Sequence, residues 1–246
     1  MKTMLVTGGT VFVSRYVAEY YVRQGWDVTV LNRGTRAQSE GVRHIQADRH
    51  NLGDALRAYH FDAVIDVTAY NAADVNALLD GMGSYGEYIL ISSSAVYPEK
   101  GMQPFREDAP VGENKYWGRY GTDKIAAEQA LHARRPEAYI LRPPYLYGPG
   151  NNVYREAFVF DCALADRPFF LPEDGQMKLQ FLHVEDLCRF IDVLLKEKPV
   201  QRIFNVGNPQ SVTIAEWVRL CYAVCGKAPE FVPVSAGVEQ RLYFPF

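Results

Sequence analysis

The sequence predicts an α/β fold: a doubly wound parallel sheet with helices on both faces and a small C-terminal lobe. Three observations predict it. Short β-branched or apolar runs recur at about 3–7, 27–32, 42–46, 62–67, 87–93 and 137–142, with helical segments between them. Such alternation gives parallel strands covered on both faces. A glycine turn, Gly8-Gly9, follows the first run directly and opens a helix. Hydrophobic residues make up 48% and charged residues 22% of the 246 positions, ordinary proportions for a globular chain with ample core.

Met4-Leu5-Val6-Thr7 reads as the first strand and Val13 to Val22 as an amphipathic helix. Asp27-Val28-Thr29-Val30-Leu31 is the second strand. A strand, a glycine turn and a helix N-terminus make an anion site, because free backbone N–H groups and the helix dipole face the ligand. This is the opening of a Rossmann-type dinucleotide-binding unit, with Gly8, Gly9, Thr10, Phe12 and Val13 as its candidate cofactor residues. The later glycines of the fingerprint are replaced by Val11 and Ser14. Val11 puts a β-branched side chain where a backbone would approach pyrophosphate, whereas Ser14 is small enough for close helix–strand packing. After the second strand, an acid would repel a 2′-phosphate; the chain has neutral Asn32 and then Arg33, which tilts the cofactor toward NADP over NAD. Arg33 stacked on adenine is the alternative. Asp48, after the third strand, is the candidate adenine-side acid.

The fifth run ends in Ile91-Ser92-Ser93-Ser94-Ala95-Val96-Tyr97. Downstream, Tyr120 and Lys124 are four apart and share a helix face. An ammonium beside a phenol favours the phenolate, so Lys124 is expected to lower the Tyr120 pKa from about 10. Such a tyrosine exchanges a proton with a substrate hydroxyl near neutral pH. A serine hydroxyl at the adjacent strand end would bond the same oxygen. Together they suit oxidation of an alcohol or reduction of a ketone.

Six segments occur in order: Thr7-Gly8-Gly9-Thr10 with Phe12-Val13, Ser92 to Tyr97, Tyr120 with Lys124, Leu141-Arg142-Pro143 with Tyr147-Gly148-Pro149-Gly150, Phe181 to Leu187, and Phe204-Asn205-Val206-Gly207. Together they resemble the NAD(P)-dependent epimerase/dehydratase family, the extended short-chain dehydrogenase/reductases, over essentially the whole chain. The resemblance implies a catalytic trio, and alignment through Val96-Tyr97 puts its serine on Ser93. It implies that Thr68, Ala69, Tyr70, Lys124 and Pro143 line the cofactor, and that Ser94 and Tyr145 face a sugar-like substrate; Asn152 and Arg155, polar groups just beyond the Gly148-Pro149-Gly150 turn, are candidate substrate-cleft residues, with a helix-start surface position as the alternative. The family's dehydratases carry an Asp-Glu pair where this chain has Ser94-Ala95, so loss of water lacks its acid and base. The family's nucleotide-sugar epimerases place an arginine where this chain has Leu179, and commonly an asparagine at Tyr145, which weakens a nucleotide-sugar assignment. Asn32-Arg33-Gly34 and Asp66-Val67-Thr68-Ala69-Tyr70 resemble the sub-branch that includes chloroplast stem-loop-binding proteins, some of which bind RNA. A catalytically quiet Rossmann protein that binds RNA or a protein partner is therefore the rival reading.

Asn151 to about Gly175 is expected to leave the core, and 179–206 to return to it. The expected division is a cofactor-binding domain of 1–150 joined by 179–206, and a substrate lobe of 151–178 and 207–246. Family members usually continue past Tyr243-Phe244-Pro245-Phe246, so a further C-terminal piece is expected. The net charge of −3 and the lack of a basic tract disfavour nucleic acid without excluding it. The first apolar run is expected to be a strand rather than a signal peptide, and no run is long enough to span a membrane. Cys162, Cys188, Cys221 and Cys225 lack zinc-ligand spacing and read as core residues of a cytoplasmic protein, with no metal expected. A homodimer is compatible with all of this.

Overall fold

The computed structural model describes residues 1–101 and 103–235. The chain runs β1 (Thr3–Thr7), α1 (Phe12–Arg23), β2 (Asp27–Asn32), β3 (Arg43–Gln46), β4 (Leu56–Asp66), α2 (Ala72–Gly81) and β5 (Met82–Ile91). A short 3-10 turn (Ser94–Val96) leads toward α3 (Arg119–Arg134), β6 (Tyr139–Arg142), β7 (Tyr145–Tyr147) and α4 (Glu156–Leu164). Then come β8 (Phe169–Pro172), β9 (Lys178–Leu179), β10 (Phe181–His183), α5 (Val184–Glu197), β11 (Ile203–Asn205), β12 (Val212–Thr213), α6 (Ile214–Val224) and β13 (Phe231–Val234).

The chain divides into two compact units, 1–150 with 182–207, and 151–181 with 208–246. The first holds a seven-stranded sheet in the order β11-β6-β5-β4-β1-β2-β3, with every adjacent pair parallel. Alternation along each strand sends side chains to two cores. Met4, Val6, Val28, Val30, Ile65 and Ile89 pack with α1 and α5 on one face. Leu5, Leu31, Val64, Tyr88 and Leu90 pack with α2 and α3 on the other. This is the doubly wound Rossmann arrangement. Strands β4 and β5 begin earlier than their apolar runs predict, because Leu56 and Met82 pair in register and are buried ahead of them.

In the second unit β8 pairs with β13, β9 pairs with β12, and α4 packs on α6. Helix α6 starts at Thr213 with a capping box, Thr213 accepting from Glu216 N and Glu216 accepting from Thr213 N. Cys162, Cys188 and Cys221 are buried thiols, as small core residues are, and burial pushes Cys221 up to about 12; Cys225, read as a core residue, is only half-buried because it caps the C-terminal end of α6. The expected end of the lobe at Tyr243 to Phe246 lies outside the described residues. Among the described residues, no helix is long and apolar enough to cross a membrane.

Candidate active site

The glycine turn is built by steric demand. Gly8 and Gly9 have φ of 91° and 89°. A Cβ on Gly9 would lie 2.5 Å from Val30 Cγ1, and one on Gly8 would lie 2.8 Å from Ser14 Oγ. Only glycine fits both the dihedral and the space. Val11 takes the N-cap position of α1 in extended conformation and supplies no side-chain cap, so the first-turn N–H groups receive no side-chain oxygen. Ser14 is buried and its hydroxyl donates to Val11 O at 3.0 Å, so it allows the close packing that its size suggests. The Asn32 amide donates to Gly8 O (2.7 Å) and Gln38 Oε1 (2.9 Å), and its Oδ1 accepts from Gly34 N (2.9 Å). Asn32 therefore ties the glycine turn to the loop after β2. Arg33 is exposed in that loop. Asp48 Oδ1 accepts from His50 N at 2.9 Å, which shapes the turn after β3.

Lys124 is only 2% exposed. Its ammonium donates to Ala69 O (2.7 Å), in the loop after β4, and to Ile91 O (3.0 Å), at the end of β5, and lies 5.1 Å from the centre of the Tyr70 ring. Burial lowers its pKa to about 8, against the pull of Asp66, Glu128 and Asp74. Tyr120 is 39% exposed as a residue. Burial raises the Tyr120 pKa, a hydrogen bond from Ser93 works the other way, and Tyr70 raises it further. The expectation that Lys124 lowers the Tyr120 pKa is corrected here. The ammonium is turned to two backbone carbonyls, those of Ala69 and Ile91, and desolvation of the phenol dominates. Ser93 Oγ also accepts from Ala95 N at 3.1 Å, which orients the hydroxyl.

Ser94 N donates to Pro143 O at 2.9 Å, and the Ser94 side chain is exposed. Thr68 N donates to Thr7 Oγ1 at 3.1 Å, which holds the loop after β4 against β1. Tyr145 lies 6.0 Å from Trp117, ring to ring. Thus Ser93, Ser94, Tyr120, Lys124, Ala69, Tyr70 and Pro143 come together beyond the C-terminal ends of β4, β5 and β6. Asn152 and Arg155 belong to the second unit.

Two buried networks support this cluster, and motif reading did not find them. In the first, Asp66 is fully buried and accepts from Thr7 (2.7 Å) and Tyr88 (2.6 Å), and both of its carboxylate oxygens accept from Arg49 Nη2 (3.0 and 2.9 Å). In the second, Arg142 grips Glu128 through Nη2 (2.6 Å) and Nε (3.0 Å) and donates to the Tyr97 hydroxyl (2.7 Å). Ser92 donates to the same Glu128, and Tyr97 donates to Asn205 Oδ1 (2.8 Å). The available signal was Glu128 four residues beyond Lys124, on one helix face, with the Arg142 and Asn205 motif positions otherwise unexplained. Among the described residues, no group of three or more His, Cys, Asp or Glu is placed to hold a metal ion.

The model of the NAD dependent epimerase/dehydratase family matches residues 4–207. A chloroplast stem-loop binding protein of 41 kDa (b) from Arabidopsis thaliana is 29% identical over 269 residues, covering 100% of this chain and 70% of that protein. UDP-glucose 4-epimerase of Corynebacterium glutamicum is 24% identical over 280 residues, covering 97% and 83%. The crystal structure of UDP-N-acetylglucosamine 4-epimerase from Bacillus cereus superposes with a TM-score of 0.80 at 21% identity, over 96% of this chain and 86% of that one, a likeness of fold.

Proposed function

The chain belongs to the NAD dependent epimerase/dehydratase family, and from that premise we propose an NAD(P)-dependent epimerase or oxidoreductase acting on a sugar-like secondary alcohol. The observation that carries this is the Tyr120 hydroxyl, bonded by Ser93, one helical turn from a buried Lys124. The cradle suits a dinucleotide. Its glycines leave no room for a Cβ, and the N-terminus of α1 has no side-chain cap, so backbone N–H groups there suit a pyrophosphate. Gly8, Gly9, Thr10, Phe12 and Val13 would hold the phosphates, and Arg33 and Asp48 the adenosine end. Thr68, Ala69, Tyr70, Lys124 and Pro143 would hold the nicotinamide end. The nicotinamide of a bound dinucleotide supplies the site for hydride.

The chain's own part is proton transfer. The raised Tyr120 pKa keeps the phenol protonated at neutral pH, so Tyr120 is ready to donate to a carbonyl oxygen as it is reduced. Ser93 holds the reacting oxygen and the phenol in line. Ser94 and Ala95 offer no carboxylate, so dehydration is not part of this reading. NADP is favoured over NAD by the exposed Arg33, with no acid at Asn32. Tyr120→Phe should cut turnover about 10²–10⁴-fold while dinucleotide affinity stays within a few-fold. The assay is nicotinamide absorbance across a panel of pyranosides and keto sugars. Unchanged turnover in the variant would sink the mechanism.

The stem-loop binding relative favours a second reading, a quiet Rossmann protein that binds RNA. The net charge of −3 weighs against it. RNA contact through phosphates would appear as stem-loop affinity that falls steeply with salt.

A further inference from the structure

The loop between β2 and β3 is closed on itself by a pair of side-chain amides. Asn32 ends β2, the position from which an acidic side chain reads the ribose of a bound dinucleotide. A primary amide has two N–H donors and two lone pairs on its oxygen. Asn32 spends all of them inside the protein. Its Nδ2 donates to Gly8 O (2.7 Å) and to Gln38 Oε1 (2.9 Å). Its Oδ1 accepts from Gly34 N (2.9 Å) and from Gln38 Nε2 (3.3 Å). The Gly8 carbonyl can only accept and the Gly34 N–H can only donate, so the backbone fixes which way the Asn32 amide faces. Nothing of that amide is left for a ligand.

Gln38 completes the closure. Its Nε2 also donates to Arg36 O (2.8 Å). The pair therefore keeps one unused lone pair, on Gln38 Oε1, and no donor. A phosphate group is recognised by donors and cations. Those belong to the loop that Gln38 holds. Arg33 and Arg36 are exposed there, and among the described residues neither guanidinium is in an ion pair. Their backbones are tied down: Arg33 O accepts from Gln46 Nε2 (3.3 Å) and Arg36 O from Gln38. Just downstream, Ser39 donates to Glu19 of α1 (2.8 Å), and Arg15 already pairs with that carboxylate at 2.7 Å. The loop is thus anchored at both ends, with two cations facing outward.

We infer that Gln38 is the positioning residue that sets selectivity for a 2′-phosphate. It takes Asn32 out of ribose recognition and holds the loop that presents Arg33 and Arg36. The inference rests on reading the glycine cradle as a dinucleotide site. It moves the choice between NADP and NAD from the end of β2 to residues 33–38.

Titration calorimetry of NADP and of NAD against the full chain tests it. The readout is the ratio of the two affinities, which a merely structural role would leave unchanged. The wild type should prefer NADP. Gln38→Leu frees both arms of Asn32 and releases Arg36 O, so NADP should weaken about tenfold while NAD stays within a few-fold. Gln38→Glu still accepts from Asn32 Nδ2, but it cannot donate to Arg36 O and adds a negative charge; NADP should weaken about 100-fold and NAD little. Arg36→Ala should weaken NADP about tenfold and spare NAD. If the leucine variant does not fold, Gln38→Glu, which keeps the shape, is read in its place. A wild-type ratio in the folded Gln38 variants overturns the inference, and so does a wild type that prefers NAD. Binding of neither dinucleotide by the wild type overturns the cofactor reading and the inference with it. A ratio that follows residue 38 while Tyr120→Phe leaves turnover unchanged keeps the inference and removes the proposed reaction.

Discussion

Lys124 carries its charge in a place that resists it. Its pKa falls from 10.5 to about 8 because burial penalises the ammonium. Below pH 8 the group is charged in both folded and unfolded chains, and its burial works against the fold. Between about 8 and 10.5 the folded chain has released a proton that the unfolded chain still holds. Stability contributed by this group therefore rises with pH across that window. Urea midpoints of wild type and Lys124→Met, compared from pH 7 to 10, should show the wild type gaining on the variant as pH rises; parallel curves would contradict the shift. If Lys124 holds the nicotinamide ribose through its ammonium, as proposed, dinucleotide affinity should weaken over the same window. Arg33 is a simpler case, an exposed cation after β2. If it meets a 2′-phosphate, Arg33→Ala should weaken NADP about 10- to 100-fold and NAD little, by titration calorimetry. Equal losses would put Arg33 on adenine.

Helix α3 carries both Tyr120 and Lys124, so its seat decides whether the site exists. A Cβ on Gly121 would lie 2.5 Å from Ala95 O, which shows how closely the helix approaches the turn after β5. Ala127 and Leu131 pack it apolarly. Such contacts tolerate sliding, whereas the pair between Glu128 and Arg142 does not, because its two hydrogen-bond arms demand one register. The side chains are 6% and 4% exposed, so breaking the pair leaves a charge buried and alone. Glu128→Gln should cost about 3–5 kcal/mol by urea denaturation. Replacing both partners, Glu128→Leu with Arg142→Met, should recover most of that stability. A single variant as stable as wild type would show that apolar packing alone seats the helix.

At the scale of the whole molecule, the strand order reverses between β1 and β4. In open α/β sheets, ligands bind outside the strand C-termini at such a point. Here the glycine turn follows β1 and the Thr68–Tyr70 loop follows β4, so both walls of that crevice belong to the proposed cofactor set. Asp66, at the end of β4, joins β1 through Thr7, β5 through Tyr88, and the turn after β3 through Arg49. A ligand at this edge is therefore coupled to the central strands. NADP at one hundred times its Kd should stabilise the protein by about 2.7 kcal/mol and raise Tm by roughly 5–10 °C. No shift with either NADP or NAD at millimolar concentration would favour the quiet RNA-binding reading.

By itself, the sequence determined what depends on neighbours along the chain. Alternating periodicity set the strands and helices, two adjacent positive-φ glycines set the turn, and the spacing of Tyr120 and Lys124 set a shared helix face. These are short-range steric and periodic constraints, which the local residue order carries in full. The rest was decided by tertiary structure. The Glu128 and Arg142 pair and the Asp66 and Arg49 pair join residues whose adjacency depends on strand order. The direction of the Tyr120 shift was decided there too. A side chain's pKa depends on how much water the assembled fold removes and on which carbonyls capture the neighbouring ammonium. Neither quantity exists until β4, β5 and α3 are packed together.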